Sequence, residues 1–159
     1  MRCFLLALMF AAVACTANTQ TINIIPKPAS LTVQKGSFGL SKKTVIAVQD
    51  EGDRNAANFF NDYLQRYYGL KLDIDKQEGK NYIRLVTRKF IKPEKDGYTL
   101  KVTADGVTIE GNNYASTFHG LQTLIQLLPV IDDKSATWEK VGIPFVTVQD
   151  APRFAYRGL

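Results

Sequence analysis

The chain has 159 residues, of which 45% are hydrophobic and 22% are charged, and its formal net charge is +5. This composition excludes a disordered chain and suits one domain with its own core. The Lys and Arg side chains are spread along the sequence rather than gathered into a patch, so nucleic acid is not an expected partner.

The first residues have the layout of a secretion signal. Arg2 supplies a positive charge, an unbroken apolar run follows over residues 4–13, and small residues come next. That run is shorter than the about 20 apolar residues that a membrane-spanning helix needs. The sequence therefore predicts an exported protein with a signal peptide over residues 1–14 and a polar tether over residues 15–21.

Cys15 follows the small residues Ala12, Val13 and Ala14, a pattern that resembles the bacterial lipobox. The prediction is that Cys15 is lipidated and anchors a periplasmic, outer-membrane or cell-surface lipoprotein to its membrane through several acyl chains. Ordinary cleavage after Ala14 or Ala17 is the alternative. The other cysteine, Cys3, lies in the signal, so the folded part is expected to contain no disulfide, zinc site or thiol nucleophile.

The first half of the mature chain predicts two strands and a helix. The strands are expected at residues 31–34 and 44–48, with a turn at Gly36 after the first. Apolar residues then recur at helical spacing over residues 55–68, and Gly69 ends the helix. We expect the whole apolar stripe of this helix to lie in the core; it consists of Ala56, Phe59, Phe60, Tyr63, Leu64 and Tyr67.

The second half predicts strands at residues 70–74, 82–86, 97–102, 107–110 and 143–148, and a turn at Asp150. The third and fourth of these flank Asp105-Gly106, which is a strong hairpin signal. A second helix is expected over residues 114–128, ended by Pro129; its apolar face consists of Phe118, Leu121, Leu124, Ile125 and Leu128. The predicted fold class is α+β, with a largely antiparallel sheet and two helices packed on one face.

Residues 16–148 contain no recognisable catalytic constellation, and no metal or cofactor is expected. His119, the one histidine, has no carboxylate three or four residues away, so it is interpreted as a helix residue with a satisfied ring nitrogen. Asp73 and Asp75 would share one face of a strand and are interpreted as a solvated strand edge. The closing residues 151–159 are unusually apolar for a terminus and are typical of a further strand that is cut off as it begins.

Three stretches of the sequence carry one resemblance. They are IPKP (residues 25–28), then GYTL (97–100) and VTIEG (107–111) with the helix segment GLQTLIQLL (120–128), then IP (143–144) with DAPRFAYRGL (150–159). In this order they resemble the N-terminal domain of β-N-acetylhexosaminidases of glycoside hydrolase family 20. The resemblance implies an N-terminal domain over residues 22–149 and the truncated start of a catalytic TIM barrel over residues 150–159.

The resemblance also implies a role for Arg157. The family's arginine at this position binds hydroxyls of the terminal sugar, and a guanidinium offers five fixed donors for that purpose at the end of a barrel strand. The implied mechanism is substrate-assisted and retaining, because the acetamido oxygen of the substrate replaces an enzyme nucleophile. The supporting Asp-Glu pair would lie downstream, so this chain is expected to contain no catalytic residue and to be inactive alone.

The implied function is exo-acting hydrolysis of terminal N-acetyl-D-hexosamine from glycans, together with a downstream TIM-barrel domain of the same polypeptide. One alternative is a non-catalytic carbohydrate-binding or docking module, which exposed aromatic side chains on a flat sheet face would indicate. The other is the N-terminal domain of a related glycosidase, such as an α-glucuronidase or an O-linked N-acetylglucosaminidase.

Overall fold

The computed structural model describes residues 22–88, 97–130 and 138–151, which form one sheet covered by two helices. The elements are β1 (Ser30–Ser41), β2 (Val45–Val48), α1 (Glu51–Tyr68), β3 (Asp73–Asp75), β4 (Tyr82–Thr87), β5 (Tyr98–Val102), β6 (Gly106–Gly111), α2 (Tyr114–Gln126) and β7 (Lys140–Asp150). This is the predicted α+β class, and the predicted hairpin is confirmed as β5 and β6, which pair antiparallel.

The sheet is mixed, so the prediction of a largely antiparallel sheet is wrong. Its seven strands run in the order β1-β7-β5-β6-β4-β2-β3. The first three pairs in this order are antiparallel, and the last three, from β6 to β3, are parallel. Within the parallel half, α1 forms the crossover that joins β2 to β3 and lets this pair run in the same direction. Alternation along a strand reveals which faces are buried but not which strand lies alongside.

β1 is longer than predicted, and Gly36 does not turn the chain. Strand pairing with β7 continues on both sides of it, with a register shift between Val33 and Ser37. Gly36 has φ 114°, a conformation that favours glycine, and a Cβ there would meet the ring of Phe145. Asp150 is also not a turn, because it is the last residue of β7 and pairs with Tyr98.

Both helices begin at a side-chain cap. The Asp50 carboxylate accepts a 3.0 Å hydrogen bond from the Asp53 N–H, and the Asn113 side chain accepts one of 2.8 Å from the Ser116 N–H. Gly69, with φ 64°, ends α1 as predicted. Because Asp50 is its cap, α1 begins at Glu51, earlier than the predicted residue 55. α2 ends at Gln126, two residues before the predicted end.

The helices lie side by side on one face of the sheet, as predicted, and a buried polar contact joins them to it. Thr87 of β4 donates to the Asp53 carboxylate of α1 at 2.6 Å, and its hydroxyl lies 2.7 Å from that of Thr117 of α2. Burial raises the pKa of Asp53, and the hydrogen bonds from Thr87 oppose that rise in part. This contact holds α1, β4 and α2 together.

The core lies between the helices and the sheet. α1 contributes Ala56, Phe60 and Leu64, which are buried as predicted. The expectation that the whole aromatic stripe is core is wrong, because Phe59 and Tyr67 are each 45% exposed. Residues 59, 63 and 67 form a row turned about 100° from the row that faces the sheet, so they lie on the outer side of the helix.

Candidate functional site

The two site residues predicted from the sequence, Cys15 and Arg157, lie outside the described residues, and both stay predictions. His119 lies on the exposed side of α2, where its Nδ1 is 3.3 Å from Oε1 of Gln122. Asp73 and Asp75 are exposed on β3, the last strand of the sheet, in agreement with a solvated edge.

A cleft of about 480 Å³ opens on the outer side of the helices. Its walls come from α1, from the second half of α2, and from the segment that precedes β1. Its lining includes Ile25, Phe59, Tyr63, His119, Gln122 and Ala151. Ala151 is the residue that follows β7, so the chain leaves the sheet at the margin of this cleft.

Tyr98 and Thr123 form the polar floor of the cleft. The Tyr98 hydroxyl lies 2.6 Å from the Thr123 hydroxyl, and both side chains are buried. Burial raises the pKa of Tyr98, and the nearby charge of Asp150 adds to that rise, while the hydrogen bond with Thr123 opposes it. Tyr98 is therefore a neutral phenol at ordinary pH, and the Asp150 carboxylate adds a charge to the lining of the cleft.

The segment before β1 is fixed against α2 by one side chain. Oε1 of Gln126 accepts a 2.8 Å hydrogen bond from the Ile25 N–H, and Nε2 of Gln126 donates to the Ile25 carbonyl at 3.0 Å. Further along, the Ala29 N–H donates to the Asp150 carboxylate at 3.1 Å. The entry of the chain into the domain is thus held next to its exit.

An apolar surface surrounds the cleft, and we name it the outer helix surface. It consists of Ile25, Phe59, Tyr63, Tyr67, Phe118 and Ile125. The rings of Phe59 and Phe118 pack edge to face at 5.0 Å, and those of Tyr63 and Tyr67 lie 4.7 Å apart. Burial raises the pKa of Tyr63. The surface is continuous across both helices.

The opposite side of the domain, the open sheet face, has a different character. Its side chains alternate with those that face the helices; they include Tyr82, Arg84, Thr99, Lys101, Thr108 and Glu110. Arg84 pairs with Glu78 at 2.8 Å and lies 5.7 Å from the centre of the Tyr82 ring. Arg88 pairs with Glu110 at 3.0 Å. By contrast, α2 contains no Asp, Glu, Lys or Arg at all.

Within the ranges that the structure describes, no three His, Cys, Asp or Glu side chains come together in a way that could hold a metal ion. In the same ranges, no helix has both the length and the apolar character to cross a membrane. The cleft combines apolar side chains with amide and hydroxyl groups, the His119 imidazole and the Asp150 carboxylate.

Comparison with known proteins settles the family. The family described as "Glycosyl hydrolase family 20, domain 2" matches residues 21–151. The chain belongs to this family. The β-hexosaminidase of Porphyromonas gingivalis is 34% identical over 86% of the chain, and β-hexosaminidase B of Pseudoalteromonas piscicida is 33% identical over 87%.

A solved structure shares the fold of this family 20 domain. The N-acetyl-β-hexosaminidase of Streptomyces plicatus superposes with a TM-score of 0.70 at 31% identity and covers 84% of the chain. The chain spans 27% of that protein and only 18% and 16% of the Porphyromonas and Pseudoalteromonas relatives. It therefore corresponds to a small part of each relative.

Sequence reasoning missed the outer helix surface, because it assigned Phe59 and Tyr67 to the core. A usable signal was present in α2, whose sequence has no charged residue on any side. An amphipathic helix with one solvated face normally carries charges there. Ile25 gave no signal, because its backbone is held by the side chain of the distant Gln126.

Proposed function

We propose that this chain is the domain that precedes the catalytic barrel in an exo-acting β-N-acetylhexosaminidase. The complete enzyme would be a glycosidase that releases terminal N-acetyl-D-hexosamine from glycans by substrate-assisted retaining catalysis. The observation that carries the proposal is the family match over residues 21–151, because the matched relatives are named β-hexosaminidases and are several times longer.

In this proposal two domains have different roles. The described domain supplies scaffold and binding surface, and the catalytic Asp-Glu pair lies in a downstream TIM barrel. Since Asp150 closes β7, the first barrel strand would begin after Ala151. Arg157 would then donate to hydroxyls of the terminal sugar from the end of that strand.

The test uses the complete product of the gene and two aryl glycosides. We expect hydrolysis of aryl N-acetyl-β-D-glucosaminide and none of aryl glucuronide, with no hydrolysis by the 159-residue chain alone. Arg157→Ala should lower kcat/KM by about 10- to 100-fold, because charge-assisted hydrogen bonds to the substrate are lost. Arg153→Ala removes the same charge four residues earlier and serves as the control. Hydrolysis of the glucuronide alone, or equal effects of the two substitutions, would refute the proposal.

We further propose that the protein is exported and anchored through a lipidated Cys15. Supporting the proposal are the apolar run over residues 4–13 and the small residues before this cysteine. Mass spectrometry of the mature N-terminus should find an acylated Cys15, and Cys15→Ser should move the protein from the detergent phase to the aqueous phase. An unmodified N-terminus at Asn18 would rule the anchor out and leave export in place.

The carbohydrate-binding alternative lacks its expected feature. A sugar-binding sheet would present exposed aromatic rings on its flat face. The exposed aromatic side chains in the described part of the chain, Phe59, Tyr67 and Tyr114, all belong to the helices.

A further inference from the structure

We propose that the domain rests on an anionic phospholipid surface through one basic end, which we define as Lys42, Lys43, Lys80 and Lys140. This inference rests on the proposed lipid anchor at Cys15, since the anchor brings the domain to a membrane. It goes beyond the anchor by assigning the part of the domain that faces the bilayer and the charge of the lipid that it meets.

The four lysines come from three separate segments that meet at one end of the sheet. Lys42 and Lys43 lie between β1 and β2, Lys80 lies two residues before β4, and Lys140 opens β7. Because β2 and β4 are parallel neighbours, their starts lie at the same end of the sheet. Lys140 joins them there, since it pairs with Ser41, the residue that precedes Lys42.

A network of hydrogen bonds holds these segments together. The Asn81 side chain donates to the Gly39 carbonyl at 3.1 Å, and its Oδ1 accepts from the buried Thr44 hydroxyl at 2.8 Å. The Val45 N–H donates to the Asn81 carbonyl at 3.1 Å. The Lys140 side chain lies over Gly39, where a Cβ would collide with it. The lysine backbones are therefore preorganised, so a charged surface can engage them without first ordering a loop.

The charges of the basic end are not neutralised within the described part of the chain. There, none of the four lysines lies within ion-pair distance of a carboxylate, and all four are exposed. In those same ranges, fewer carboxylates than lysines lie at this end of the sheet; they are Glu139, Asp73 and Asp105. The basic end therefore offers ammonium groups that an anionic partner can pair with.

The opposite end of the sheet is acidic, so the domain is electrically polarised. Asp50 follows β2, Asp53 bonds to the last residue of β4, and Asp150 closes β7. The arginines at that end, Arg54 and Arg88, are each paired with a further carboxylate. An anionic surface attracts the basic end and repels the acidic end, so it would orient the domain as well as bind it.

The entry of the chain identifies a membrane as the occupant. Ile25 is bonded to Gln126, the last residue of α2, whereas Tyr114 at the start of α2 donates to Asp50 at the acidic end. The chain therefore enters the domain away from the acidic end. The predicted tether, residues 15–21, can span at most about 25 Å, so an anchored domain stays close to the headgroups. A free acidic polymer would lack this high effective concentration.

The experiment measures acetylation of lysine side chains in the complete, lipidated gene product on two kinds of vesicle. One kind consists of phosphatidylcholine, and the other also contains phosphatidylglycerol. We expect the basic end to be acetylated at least about fivefold more slowly on the anionic vesicles, because its amines are held at the headgroups. Lys101, on the open sheet face, should react equally on both. High salt should remove the protection by screening the attraction.

A variant pair separates the basic end from net charge. In the complete product with Cys15→Ser, Lys42→Gln combined with Lys43→Gln should weaken binding to the phosphatidylglycerol vesicles by about 10- to 25-fold, since each lysine near the surface contributes about fivefold. Arg54→Gln combined with Arg88→Gln removes the same two charges at the acidic end and should not weaken it. Both pairs should leave urea unfolding of the 159-residue chain nearly unchanged, since none of the four side chains belongs to the core.

Three results would overturn the inference. Equal acetylation on both kinds of vesicle, with Cys15 acylated, would reject the basic end as the contact while leaving the anchor intact. Equal weakening by the two variant pairs would mean that only net charge matters. Protection of the basic end without vesicles would identify the rest of the polypeptide as the occupant. By contrast, an unmodified N-terminus at Asn18 would remove the anchor alone, and weaker vesicle binding after the two lysine substitutions would still support the basic end.

Discussion

The outer helix surface and the open sheet face are the two outer sides of one two-layer domain, and they differ in their exposed side chains. On the sheet side, Arg84 and Arg88 each meet a carboxylate within 3.0 Å, and Lys101 extends into solvent. On the helix side, α2 has no charged residue, and aromatic rings of α1 remain exposed. Charged side chains keep a face solvated, whereas a contiguous exposed apolar patch is unusual on a domain of this size.

The largest expected effect is on the free energy of unfolding, and it distinguishes the buried row of α1 from the exposed row by substitution of two adjacent phenylalanines. Phe60→Ala should lower the free energy of unfolding by about 3 to 5 kcal/mol, because Phe60 is fully buried and the substitution leaves a cavity. Phe59→Ala should cost about 1 kcal/mol, mainly through its contact with Phe118. Urea unfolding of the 159-residue chain measures both. Equal losses would mean that residue 59 belongs to the core and would contradict the comparison.

A smaller effect on stability is expected from two side-chain amides, each of which holds a backbone segment by two hydrogen bonds. Asn61 is buried and bonds the Leu72 carbonyl at 2.8 Å and the Leu72 N–H at 2.9 Å. Asn61→Ala should cost about 3 kcal/mol, because both Leu72 groups are left unpaired away from water. Gln126→Ala should cost under about 1 kcal/mol, since water can replace it at the exposed Ile25 backbone. Thermal unfolding measures the difference, and a larger loss for Gln126→Ala would contradict it.

Tyr68 links the end of α1 to the segment after α2 and gives a pH-dependent test. Its hydroxyl donates to the Pro129 carbonyl at 2.7 Å, and burial, with a smaller contribution from Tyr63, raises its pKa to about 12. Since folding favours the protonated phenol, its stabilisation is complete below the ordinary pKa of 10.0 and is lost as the pH rises through about 12.

Tyr68→Phe should therefore cost about 1 kcal/mol at neutral pH and remove part of the alkaline destabilisation. Urea unfolding at neutral pH and between pH 10 and 12 measures both effects. An alkaline limb that is as steep in the variant as in the unmodified chain would show that other tyrosines produce it.

The smallest effect tests whether the charges of the open sheet face contribute to folding. Glu78→Gln removes the 2.8 Å ion pair with Arg84, which is partly exposed, and should cost about 0.5 kcal/mol. The loss should be smaller in high salt, because dissolved ions screen the attraction between the two charges. Glu51→Gln is the matched control, since Glu51 is exposed and lies 3.5 Å from Arg54. A loss above about 2 kcal/mol would mean that this face is stabilised by its ion pairs.

Features that depend on neighbouring residues could be predicted from the sequence. The end of α1 at Gly69 and the β5–β6 hairpin were both predicted, because each is decided within a few positions of the chain. The parallel half of the sheet was not, since it depends on which distant strands meet. Gly36 was mistaken for a turn because a glycine with positive φ occurs in strand irregularities as well as in turns.

The candidate site was the least predictable part. Periodicity identifies the apolar rows of α1 but cannot tell the row that contains Phe60 from the row that contains Phe59, because both are aromatic and lie side by side. The packing of α1 against β2, β4 and α2 decides which row faces inward. The cleft also depends on the bonds between Gln126 and Ile25, which are 101 positions apart in the chain.

The pairing of β1 with β7 has a mechanical consequence. Ser30, where β1 begins, lies opposite Gln149, near the end of β7, so the chain enters and leaves the sheet at the same end of one antiparallel pair. Tension applied to the two ends of the domain would therefore separate β1 from β7 one hydrogen bond at a time. It would not load all the hydrogen bonds of this pair together. If one end is fixed to a membrane and the other to a bulky domain, the edge of the sheet becomes the element that yields first under load.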